Sequence, residues 1–105
     1  MAEPMKIRAT QKGDGADVRV LVLHPMETGQ RKDSNGGLVP MHFIQQLSIQ
    51  HNGKTVLEAH WSQGIARNPL LGLRLKRAKT GDRISVSWTD NRGDQRTDEA
   101  TIAAA

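Results

Sequence analysis

HFIQQLSIQHNGKTVLEAHW, residues 42–61, alternates apolar and polar side chains on both sides of an Asn-Gly pair. Phe43, Leu47 and Ile49 fall on one face and Ile44, Gln46, Ser48 and Gln50 on the other, the period of two expected of a half-buried strand. Asn52-Gly53 tolerates the two positive φ angles of a type I′ turn, so the stretch predicts a β-hairpin whose second arm ends at Trp61.

The same pattern continues outward in both directions. On the C-terminal side SQGIARNP reads as an irregular crossing, with Pro69 driving Asn68 away from helical dihedrals. LLGLRLKR then sets Leu71, Leu73 and Leu75 inward against Gly72, Arg74 and Lys76 outward, AKTGD turns the chain, and RISVSWT sets Ile84, Val86 and Trp88 inward. DNRGD makes another turn into QRTDEATI, a polar closing strand whose charge suits a sheet edge, and the AAA tail is read as frayed. On the N-terminal side Met5 to Ala9 forms a short first strand, QKGDGAD a turn cluster, and VRVLVLH a β-branched strand buried on both sides near its end. About seven antiparallel strands and no useful amphipathic helix predict an all-β, immunoglobulin-like β-sandwich without a disulfide. A five-stranded oligonucleotide-binding barrel is the runner-up, and it calls for a groove of stacking aromatics that this chain hardly has.

With 105 residues the chain is read as one domain, residues 1–105, large enough for a core without staples. An apolar fraction of 36% and an aromatic fraction of 3% put the core on Val, Leu and Ile around Phe43, Trp61 and Trp88. The absence of cysteine excludes a disulfide, a thiolate metal site and a thiol nucleophile within the chain. The N-terminus lacks the apolar region of a signal peptide, which by itself predicts a cytoplasmic protein.

The 15 basic and 11 acidic residues are unevenly spread. Arg67, Arg74, Lys76, Arg77, Lys79 and Arg83 face only Asp82 in their segment, whereas Asp90, Asp94, Asp98 and Glu99 outnumber Arg92 and Arg96 in the next. Two readings fit this pattern: a surface for nucleic acid or an acidic partner, or solvated faces of adjacent strands whose opposite charges pair across a hairpin.

Between the strands lies a polar segment too long for an ordinary hairpin turn, HPMETGQRKDSNGGLVP, residues 24–40. Its charges cancel, Glu27 and Asp33 against Arg31 and Lys32, which favours internal pairing and loop shaping. His24, His42, His51 and His60 invite a metal reading, but no pair has the tight spacing of a known signature. Asp33, Asn35 and Gly36 resemble the start of a calcium loop, although an Asx turn explains them without the missing far-end acid. No Ser-His-Asp order, carboxylate pair or phosphate loop can be drawn, so no catalytic, cofactor-binding or metal-ligating residue is assigned.

Taken together, the 24–40 segment, HFIQQLSIQHNGK, ARNP and SVSWTDNRGD closely resemble the SoxZ family, with similarity over residues 6–102. The family loop pattern falls here on His24, Met26, Glu27, Gly29, Arg31, Lys32, Asp33, Gly36 or Gly37, and Pro40. Its later motifs fall on Asn68, Pro69, Trp88, Asp90 and Gly93. The resemblance implies a non-enzymatic immunoglobulin-like sandwich that forms a heterodimer with SoxY. SoxY carries the sulfur intermediates of thiosulfate oxidation on a cysteine in a Gly-Gly-Cys-Gly-Gly tail. It further implies transient docking to other Sox enzymes, no cofactor, and a periplasmic location reached by co-export with a signal-bearing SoxY. A cysteine-free subunit suits that role, because it has no thiol with which to draw sulfur off the carrier. The basic 67–83 region departs from the pattern and points to acidic docking partners.

Overall fold

The hairpin of residues 42–61 is one arm of a two-sheet sandwich in the structure, a computed structural model describing residues 2–62 and 64–104. Seven antiparallel strands follow one another: β1 (Lys6–Lys12), β2 (Gly15–Leu21), β3 (Ile44–His51), β4 (Lys54–His60), β5 (Leu70–Lys76), β6 (Arg83–Asp90) and β7 (Gln95–Thr101). They form a three-stranded sheet of order β1-β2-β5 and a four-stranded sheet of order β4-β3-β6-β7. The expected sandwich is therefore present, the barrel alternative is overturned, and no helix occurs among the described residues.

Alternation decides which side chains meet between the sheets. Val18 and Val20 of β2, with Val22 just past its end, oppose Leu47, Ile49, Ile84, Val86 and Trp88 from the other sheet, none more than 2% exposed. Each such side chain contributes about 1.5–3 kcal/mol on burial, so this layer dominates the stability. The β3–β4 turn takes the form its sequence predicts, with positive φ at Asn52 (50°) and Gly53 (84°).

Several expectations are corrected by tertiary pairing. Ile44, placed on the polar face by simple alternation, is fully buried. The β3–β6 register jumps from Ile44↔Asp90 to Gln46↔Thr89, so a bulge at Gln45 reverses the alternation and lets Ile44 and Leu47 both point inward. Trp61 is only half-buried and packs on the margin of the core. The tail is not frayed at Ala103, whose carbonyl accepts from Gln11 N–H and whose N–H donates to Ala9, closing β1 against the end of β7; Ala105 lies outside the described residues, as does Gln63 of the crossing. The basic and acidic segments do not pair across a hairpin, because β5 and β7 belong to different sheets.

Candidate functional site: a clamped arm

The 24–40 segment folds as an irregular ribbon doubled on itself. Glu27 and His42 exchange backbone hydrogen bonds at 2.6 and 3.0 Å, Val39 N–H donates to the Arg31 carbonyl at 2.8 Å, and Lys32 bridges Leu38. At the tip Asp33 Oδ1 accepts the amides of Asn35 (2.9 Å) and Gly37 (3.0 Å), an Asx turn that uses the residues resembling a calcium loop. Arg31 grips Glu27 through both carboxylate oxygens, which holds the glutamate below the usual carboxylate range. Gly29 has φ 86°, and a Cβ there would sit 3.3 Å from Met41 Cβ on the returning strand. Residues 31–38, and Pro40, are exposed. Strands of seven or eight residues span about 25 Å, so the arm accounts for a long axis of 53 Å against 21 Å in the other two directions.

Two asparagines clamp the base of this arm. On the outgoing side Asn68 Oδ1 accepts His24 N–H at 3.0 Å while Asn68 N–H donates to the His24 carbonyl at 3.0 Å. Asn68 adopts left-handed φ (50°), and the carbonyl of Pro69 then takes the Val22 amide at 2.9 Å. On the returning side Asn91 Oδ1 accepts Phe43 N–H at 2.8 Å, Asn91 N–H donates to the Phe43 carbonyl at 3.0 Å, and its side-chain amide donates to the Met41 carbonyl at 2.9 Å. Met26, also at positive φ (49°), is buried, and its sulfur faces the Ile44 amide at 3.4 Å.

Between the two clamps lies Asp90, its side chain wholly buried. Oδ1 accepts the amides of Arg92 and Asp94, both at 2.9 Å; Oδ2 accepts the Nε2 groups of His24 at 3.1 Å and His42 at 2.7 Å. Burial pushes the Asp90 carboxyl up, but the histidine and amide donors outweigh it and leave its pKa lowered. The rings of His24 and His42 meet edge to face at 4.5 Å, and Trp88 stands at 88° to His24 with centroids 5.1 Å apart. The buried indole N–H of Trp88 has no hydrogen-bond acceptor among the described residues.

One donor atom each from His24, His42 and Asp90 lies within 4.8 Å of the others, a juxtaposition that sequence spacing missed because the three come from different elements. Proton placement argues against metal ligation at this point. Nδ1 of His24 accepts the Met26 amide at 3.1 Å, so the single proton of the neutral ring sits on Nε2 and no lone pair remains there for a metal. Burial lowers the His24 pKa and keeps the ring neutral, in agreement with that bond. Of the other histidines, His51 binds Asp82 at 2.7 Å and His60 is exposed. The Lys79 amide and the His51 ring together lower the Asp82 pKa to about 2.

Of the residues singled out from sequence, His24, Met26, Glu27, Asn68, Pro69, Trp88 and Asp90 converge at the base, whereas Gly29, Arg31, Asp33 and Pro40 shape the arm beyond it. The sequence marks His42 only as one of four histidines weighed for a metal and assigns Asn91 no role, its one signal being its place in the turn-rich DNRGD run. An open cleft of ≈ 320 Å³ adjoins the base, lined in part by Leu23, Pro25, Arg67 and Asp94. On its floor His24 and Asp90 have no hydrogen-bonding capacity left for a ligand.

Fold and site thus define a β-sandwich domain whose buried histidine-carboxylate cluster anchors a projecting arm. By its family model, described as sulphur oxidation protein SoxZ and matched over residues 5–101, the chain belongs to the SoxZ family. Among solved structures it is similar to hypothetical protein PH1083 from Pyrococcus horikoshii OT3, with 18% identity, TM-score 0.65, and 95% of this chain and 88% of that one covered. It is also similar to a superoxide reductase (neelaredoxin) from Ignicoccus hospitalis, with 19% identity, TM-score 0.61, and 98% and 81% covered. At such identities these likenesses speak to the fold alone. A search of curated proteins found no match.

Proposed function

We propose that this chain is the non-catalytic subunit of a heterodimeric sulfur carrier. It scaffolds a SoxY-like subunit whose C-terminal cysteine bears the sulfur intermediates of thiosulfate oxidation. The observation that carries the reading is the saturation of the base cluster: all four acceptor positions of Asp90 and both nitrogens of His24 are spent on holding the arm. Groups so engaged are poorly placed to transfer protons or bind substrate, and no cysteine in the chain could take up sulfur. What remains to offer is shape, namely a rigidly rooted arm and two sheet faces beside another subunit's reactive cysteine. The proposed compartment is the periplasm, reached by co-export with the signal-bearing partner.

Co-expression with a SoxY-like subunit tests this directly. A stable heterodimer burying roughly 1,600 Å² or more is expected to co-elute at micromolar concentration. Separate elution of the two chains would sink the proposal.

A further inference from the structure

The outer face of the three-stranded sheet is a register-matched grid. Its rows run Lys6–Leu21–Leu70, Arg8–Arg19–Gly72, Thr10–Asp17–Arg74 and Lys12–Gly15–Lys76 across β1, β2 and β5. Six cations and one carboxylate occupy it, leaving nine basic against ten acidic residues on the rest of the chain. The face thus carries five net positive charges and the rest of the chain one net negative charge, so the basic character of the protein resides here.

Asp17 is already used, by Arg74 at 3.1 Å and Lys12 at 3.8 Å. Arg8 and Arg19 are direct cross-strand partners, both exposed, and neither has a carboxylate within ion-pair distance among the described residues. Like charges placed opposite one another in a sheet destabilise it, so the fold keeps an unfavourable pair that an incoming carboxylate would relieve. Beside them Gly72 is an open notch, with nothing within 4 Å of where a Cβ would stand. One row away Leu21 lies next to Leu70, which is 66% exposed.

We propose that this face docks the acidic surface of a second protein, a carboxylate entering between Arg8 and Arg19 and an apolar side chain covering Leu21 and Leu70. A protein fits better than nucleic acid or membrane, because the grid has no aromatic to stack a base and no broad apolar belt to enter lipid. A second copy of the chain does not fit, since two such faces repel. The density of charge suits a transient, salt-sensitive encounter more than a permanent subunit interface, whose core is depleted in charge. The occupant is accordingly an enzyme that visits the carrier, and this choice of occupant rests on the carrier reading.

The test compares two charge reversals made in the assembled heterodimer: Arg8→Glu with Arg19→Glu on the grid, and Lys54→Glu with Arg83→Glu on the other sheet. Each carrier is immobilised, and the other purified Sox enzymes are passed over it at about 25 and about 200 mM salt. For at least one enzyme, wild-type affinity should fall with salt, the grid variant should lose about tenfold or more, and the control should stay within about twofold. The proposal is overturned if no enzyme binds, if both variants lose equally, or if duplex DNA or anionic vesicles bind the face more tightly than any enzyme. Loss of the heterodimer in the grid variant alone would also overturn it, by giving the face to the permanent partner. If the wild-type heterodimer never assembles, the carrier reading fails instead, and the same variants of the isolated chain run over the same enzymes still judge the face.

Discussion

His24 Nε2 lies 3.1 Å from Asp90 Oδ2 although 66 residues separate them, and the contact joins the outgoing root of the arm to the turn between β6 and β7. His42, at the returning root, meets the same oxygen at 2.7 Å. One buried carboxylate thus ties both ends of a long polar excursion to the sandwich, and the consequences can be measured.

Asp90→Asn keeps the shape but sets an amide N–H₂ against histidine or backbone donors. Removing the charge that pairs a buried polar cluster is expected to destabilise the fold by about 3 kcal/mol. For a chain of this size the melting temperature should fall by roughly 10 °C or more. A urea titration showing less than about 0.5 kcal/mol of change would remove Asp90 as the anchor.

The pH dependence has a definite sign. Burial lowers the His24 pKa below its ordinary 6.5, so in acid the unfolded chain takes up that proton first and the native state is penalised. Its contribution is complete above pH 6.5 and declines as the pH falls through 6.5 toward the lowered folded value. A second loss follows below about pH 4, where the unfolded chain takes up protons at its ordinary carboxyl pKa near 3.8 while the native state holds Asp90 and Asp98 lower and Asp82 at about 2. Replacing His24 by Gln should flatten the first limb of a stability–pH profile and leave the second; an unchanged first limb would contradict the assignment.

Asn68→Ala removes the acceptor for the His24 amide and leaves a Cβ in left-handed backbone, for a loss of about 2 kcal/mol. Asn68→Gly relieves the strain and should recover about half of that. Asn91→Ala should lose about 1–2 kcal/mol by the same reasoning at Phe43 and Met41. Hydrogen exchange should quicken at His24 in the first pair and at Phe43 in the third, and an even quickening over the whole sandwich would argue against local clamps.

Arg31 is 61% exposed, and its pair with Glu27 is a solvent-screened surface bridge of the kind that adds little to stability. Arg31→Ala should therefore leave thermal stability nearly unchanged, and on the proposal that the exposed tip of the arm is the part offered to the partner it should lower heterodimer yield on co-expression. A folded variant with full yield would place the partner elsewhere on the molecule.

The strands were legible because their information is local. Period-two alternation in residues 71–75 and 84–88, the Asn-Gly pair, and Gly/Asp clusters between runs each report on a few neighbouring residues, and the sandwich follows from them. The family was legible too, in motifs that fall at the arm and its clamps. Ile44 shows the limit: a bulge set by β6 reversed its face, and no reading of β3 alone contains β6.

What only the tertiary structure decided is the use of these residues. By itself the sequence determined an all-β, cysteine-free chain with a long polar interruption whose charges balance. It did not determine that His24, His42 and Asp90 share one buried point, or that Arg8 faces Arg19, because both depend on strand order and register. Those are set by how two sheets of apolar side chains pack, a free energy summed over the whole core and not carried by any one segment.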